Sequence, residues 1–159
     1  MKRIFLILML VAAGASAQQE NMGDWYYTEE SDAMTDEMLI VSGTLCVDAG
    51  CDAWFIVRYR EADGVVTSVW MGDSYVSDDG MDILMRIDKS NVRKKKGFTL
   101  VGNQAVGWYP LNSDRELMRK GSHVVLRGEW ASTTKTCTFS LLGYSFYDAI
   151  LFALEKDNS

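Results

Sequence analysis

Three cysteines carry the most reactive chemistry in this chain: Cys46 and Cys51, in the stretch CVDAGC, and Cys137 far downstream. Such a set could ligate a soft metal, cycle as a redox pair or staple the fold. Four zinc ligands would form only if Cys137 and His123, the one histidine, both converged on CVDAGC, and C-x4-C with an isolated later cysteine is not a zinc-ribbon spacing. A disulfide between Cys46 and Cys51 is the expectation, since flanking strands at 38–45 and 53–60 would make a hairpin with Val47, Asp48, Ala49 and Gly50 as its loop. Directly opposed residues in such a pair lie ~4.5 to 5.5 Å apart, within disulfide reach. Cys46 or Cys51 paired with Cys137 are the alternatives, and either would constrain far more chain.

Other chemistry is thinner. His123 starts a strand whose Val124, Leu126 and Trp130 alternate onto the opposite face, which places the imidazole toward solvent, and no Ser or Cys stands in a catalytic signature. The acids Asp73, Asp78, Asp79 and Asp82 in DSYVSDDGMD could offer oxygen ligands to calcium, but they lack EF-hand order and suit a solvated turn. A carboxylate pair could hydrolyse a glycan, yet no spacing selects one. Among the large rings, Trp54 is the best surface candidate, because alternation puts it with Arg58 opposite Phe55 and Val57. The run Arg93, Lys94, Lys95 and Lys96 reads as a charged loop or hairpin end, the second candidate binding surface. No catalytic residue, metal ligand or cofactor is assigned.

The elements that must position these residues are mainly strands. Runs rich in β-branched and aromatic residues at 25–28, 38–45, 53–60, 65–71, 83–87, 98–101, 105–109, 123–130 and 136–141 are separated by Gly, Asp and Asn turns. They predict a mainly β fold: an antiparallel β-sandwich or barrel-like domain with a short inserted helix and a C-terminal closing helix. Cys137, Phe139 and Leu141 share the buried face of the last strand. Ser113 with Glu116 forms a capping-box pair for a helix at about 114–120, closed by Gly121 in a left-handed cap. Ser145 can cap a second helix, 146–154, with Asp148 in its first turn and Phe146, Ile150, Ala153 and Leu154 facing the core.

The start of the chain sets the expected compartment. MKR, the apolar IFLILMLVAA and ASA before Gln18 have the form of a signal peptide, Met1 to Ala17, too short to span a bilayer. One domain then occupies 18–159, with its core at about 24–154. Losing Lys2 and Arg3 leaves 14 basic against 22 acidic residues, a balance of −8, so nucleic acid and anionic membranes are poor partners. The expected location is the periplasm or beyond, with no membrane insertion after cleavage.

Between Met34 and Ile150, several spaced pieces occur in a familiar order: FIVRY, WMGDSYVSDD, MRIDK, GNQAVGWYP, LMRKG, VVLRGEW and TFSLLGYSFYDAI, preceded by Trp25 and MTDE. This order resembles the VasI/TagO-like family of periplasmic proteins associated with type VI secretion. It is also similar, more weakly, to invasion-associated locus B proteins, exported β-domains with a like ending. The family's Arg-Cys strand position reads Arg58-Tyr59 here, and the cysteine usual near its C-terminus is absent from LFALEKDNS. Any bridge those two cysteines make in the family is unavailable to this chain. The resemblance implies a β-sandwich-like accessory protein without an assigned active site. The expected function is therefore a non-enzymatic accessory that binds a protein partner, type VI-associated or prophage-carried. The alternatives are an inhibitor or immunity protein against a cell-wall hydrolase, or a carboxylate enzyme acting on peptidoglycan. An edge strand could also pair two copies.

Overall fold

Alternation governs the architecture. Strand after strand places every second side chain inward, as in β4 (Trp54–Arg60), where Phe55, Val57 and Tyr59 are buried and Trp54, Ile56, Arg58 and Arg60 are half-buried outward. The computed structural model describes residues 18–31, 37–72, 76–100, 103–130 and 133–157. The expected signal peptide at 1–17, with Asp73 and Tyr75, lies outside the described residues.

Among the described residues, ten strands pair antiparallel in the order β1-β2-β3-β4-β5-β8-β7-β6-β9-β10. The first five are β1 (Gln18–Met22), β2 (Trp25–Ser31), β3 (Met38–Leu45), β4 and β5 (Gly64–Trp70), a meander of successive hairpins. The others are β6 (Met81–Ile87), β7 (Arg93–Thr99), β8 (Ala105–Trp108), β9 (His123–Trp130) and β10 (Thr133–Ser140). β7 belongs to both layers: Arg93–Gly97 pairs with β6, while Phe98 and Thr99 pair with β8. The result is a sandwich with its far sides drawn together by one bridge, Cys46 to Phe139, and by the Val47 N–H donating to Thr138 O at 2.9 Å. It is mainly β, as expected, and is not a closed barrel.

The core lies between the layers. Phe55 stacks on Trp108 at 6.3 Å and approaches Phe139 at 5.6 Å, joining β4, β8 and β10. Trp25 packs edge-on to Phe55 and Tyr144, and its Nε1–H donates to Ser140 O at 2.9 Å. Helix α1 (Asn112–Lys120) and helix α2 (Tyr144–Asp157) pack on each other and close one end.

Several local expectations are corrected. The basic run is strand β7, not a loop. Lys95 points inward and is tolerated because its Nζ meets the fully buried Asp114 carboxylate at 2.5 Å, with Arg93 on the other oxygen at 2.7 Å. The N-cap of α1 is Leu111 rather than Ser113, and it is Asp114, at the third helical position, whose carboxylate accepts the Leu111 N–H at 3.0 Å. Gly121 is extended, φ −84 and ψ 162, and not left-handed. It is glycine for space, since a Cβ there would stand 2.6 Å from Ile87 Cγ2. Helix α2 starts earlier and its inward face is shifted from the expected one: Phe146, 40% exposed, and Ala153 face outward, Ile150 and Leu154 pack against the core as expected, and Tyr144, Tyr147, Asp148 and Leu151 are buried. Asp148 is held there by Arg115 at 2.7 Å and Arg119 at 2.6 Å, both from α1.

Candidate functional site

The outward side of the β2–β5 meander carries an apolar surface built by register. Leu45, Trp54 and Trp70 stand opposite one another on β3, β4 and β5, and Ala105 of β8 continues the row. Leu45 is 50% exposed; Trp54 and Trp70 are half-buried. The Trp70 indole N–H points to Gln104 Oε1 at 3.4 Å. From β2, Tyr26 meets Trp54 edge-on at 5.3 Å and 86°. This approach depends on Gly43, opposite Tyr26, where an added Cβ would fall 2.8 Å from Tyr26 Cε1 and 2.8 Å from Phe55 O. Burial pushes the Tyr26 phenol up to about 12, so it stays protonated at neutral pH. The surface can therefore offer flat rings and neutral polar groups.

Arg58 lies on the same face two residues beyond Ile56, 3.8 Å from Asp63. Arg93, Lys94, Lys95 and Lys96 do not join it, because β5 and β8 separate β7 from β4. Arg93 and Lys95 are engaged by Asp114, and Lys94 pairs with Asp82 at 2.6 Å; Lys96 is exposed. From sequence, Tyr26 and Trp70 are among the large rings that could form a platform but are expected mostly in the core, and Leu45 carries no signal. Only the strand register puts them beside Trp54.

At the end of this face the β3–β4 connection is clipped by the Cys46–Cys51 disulfide, Cα–Cα 5.9 Å. The expected bond is present, but the expected register is not. The Cys46 N–H donates to Ala53 O at 3.0 Å, so Cys46 faces Ala53, and Cys51 sits inside the loop where its N–H donates to Asp48 O at 3.2 Å. Asp48 in turn accepts the Thr138 N–H at 2.6 Å, pinning the loop on β10. Cys137, buried and free, has its Sγ 2.9 Å from Cys51 Sγ and 3.6 Å from Met71 Sδ. All three Cys Sγ atoms lie within 4.8 Å of one another. Cys137 thus converges on CVDAGC; His123 is exposed at the start of β9 and is not in the group. Among the described residues, the acids at 78, 79 and 82 form no such group: Asp78 accepts from the Asn103 side chain, and Asp82 is engaged by Lys94.

No family model matches the chain, and no curated protein matches it. A solved structure of invasion associated protein B from Bartonella henselae is similar, with a TM-score of 0.64 at 17% identity, covering 87% of this chain and 99% of that one. The two share a fold. At that identity the likeness is one of fold alone and does not decide between the families the sequence resembles. No helix among the described residues is long and apolar enough to cross a membrane.

Proposed function

We propose that this protein is a non-enzymatic, exported binding protein. It works as an accessory of an envelope assembly, type VI-like or prophage-carried, and takes a protein partner on the face around Trp54. The observation that carries this reading is the partly exposed rung Leu45–Trp54–Trp70 with Tyr26 against it. Aromatic anchors held by neighbouring strands are the residues that dominate protein interfaces. A disulfide suits an oxidising compartment, in line with export. The neighbour named for invasion fits an accessory of the envelope.

A photo-crosslinking residue at position 45, in cells expressing the protein, should capture one envelope protein reproducibly, and the same residue at position 123 should not. Trp54→Ala should then weaken the purified pair by about 30-fold or more, as hot-spot truncations do. Unchanged affinity in a folded Trp54→Ala protein would remove this face from the reading. The acid excess favours a second reading, an inhibitor of a basic cell-wall hydrolase. Absence of both inhibition and complex across lysozyme-type and amidase-type hydrolases would end it, and release of muropeptides by the protein itself would replace both readings with an enzyme.

A further inference from the structure

Three sulfurs at the β3–β4 loop share a single bond, and the unbonded one is in contact with the bond. Cys137 Sγ lies 2.9 Å from Cys51 Sγ, within contact distance, and the three Sγ atoms fall within 4.8 Å. We propose that Cys46, Cys51 and Cys137 form an internal thiol–disulfide exchange site in which Cys137 displaces Cys46 from Cys51. The Cys137 thiol gives its proton to solvent base and its thiolate attacks Cys51 Sγ. The Cys51–Cys137 bond forms as the Cys46–Cys51 bond breaks, and Cys46 leaves as a thiolate that takes up a proton. No electron enters or leaves the chain. A soft metal at the same sulfurs would require the bridge to be reduced first by an external thiol, whereas exchange uses only what is in place.

The two forms differ in what they hold. Cys46–Cys51 spans a sequence separation of 5 and clips a loop; Cys51–Cys137 would span 86 and fasten β10 to the meander. That is the side of the sandwich where the layers meet through the Cys46–Phe139 bridge and the Val47 amide. By loop closure alone, the long-range form resists unfolding on the order of fifty-fold more in its equilibrium constant. It also leaves a half-buried Cys46 thiol beside the exposed Leu45 and Val47. Burial and the Asp48 carboxylate hold the Cys137 thiol above its ordinary range, against the pull of Lys135, so the attack is slow at neutral pH and quickens in base.

The test is a thiol map of the chain purified without reductant. After incubation at about pH 6 and about pH 8.5, where thiolate-driven exchange is slow and fast, the protein is unfolded in acid to stop exchange, alkylated with N-ethylmaleimide and digested. Label on Cys46, alone or together with Cys137 and reached faster at the higher pH, is the expected result. Label confined to Cys137 at both pH values, or found on Cys51, overturns the proposal. The Cys46→Ser chain provides an independent reading: it should oxidise in air to a form with no free thiol, and two free thiols in the folded variant would count against exchange. If that variant does not fold, the wild-type map decides alone.

Discussion

Asp114 shows how one residue fixes a stretch that sequence misassigns. Its carboxylate is fully buried and receives Lys95, Arg93 and the Leu111 amide. Burial alone would raise its pKa, but the hydrogen bonds from Lys95, Arg93 and Leu111 and the Lys95 charge outweigh that and hold it below the ordinary carboxylate value. A depressed folded pKa stabilises the native state above the unfolded value of about 3.9, and that contribution is lost as pH falls through the folded one. Asp114→Asn should therefore cost about 3 kcal/mol at neutral pH in urea denaturation, since Lys95 is left without its counter-charge, and should flatten the acid limb of the stability curve. Lys94 and Lys96 point outward, so VRKKKGF has a strand's alternation. It was illegible because four consecutive cations ordinarily mean solvent, and the compensating acid lies 19 residues from Lys95. Gly43 is the comparable case for the candidate site. Gly43→Ala should displace the Tyr26 ring and cost roughly 1–3 kcal/mol, and an unchanged melting curve with unchanged tyrosine environment would contradict the packing described.

At the scale of elements, strands with one dry face were legible and special contacts were not. Cys137 and Phe139 were placed inward by simple alternation along β10, and both are buried. β1 was missed because QQENM carries no apolar period; its place comes from pairing with β2. The loop at 46–53 was read two residues too tight, since hydrophobic pattern locates strands but leaves turn geometry open. Helix α2 failed differently: its inward face includes Asp148, and a charged residue on a buried face is invisible until its partners Arg115 and Arg119 are known. This shift has a direct consequence. Tyr147, which stacks on Tyr27 at 5.5 Å and donates to Trp25 O at 3.2 Å, should lose about 3–5 kcal/mol on Tyr147→Ala, while Phe146→Ala should cost under about 1 kcal/mol. The face inferred from sequence, with Phe146 inward, gives the reverse order in the same denaturation experiment.

For the whole molecule, the question is whether two layers make one cooperative unit. Each layer could in principle melt alone, since the hydrogen-bonded hairpins β2–β3–β4–β5 and β6–β9–β10 are local to their own side. Three features oppose that. β7 runs through both layers, Phe55 of one contacts Phe139 of the other, and Trp25 of β2 is hydrogen-bonded to Ser140 of β10. Breaking either layer would expose the shared core, where Trp25 and Trp130 are buried in opposite layers, so the cost of partial unfolding approaches that of complete unfolding. Chemical denaturation followed by tryptophan fluorescence and by far-UV circular dichroism should therefore give one coincident transition. With wild type held at about pH 6 in its Cys46–Cys51 form, before exchange, removing the clip with Cys46→Ala and Cys51→Ala together should lower the midpoint by an amount worth about 2 kcal/mol without splitting the transition, because a bond inside one loop adds stability but does not join the layers. Two separated transitions in that variant would mean that the loop at 46–53, pinned to β10 by Asp48, is what couples the layers, rather than β7 and the core.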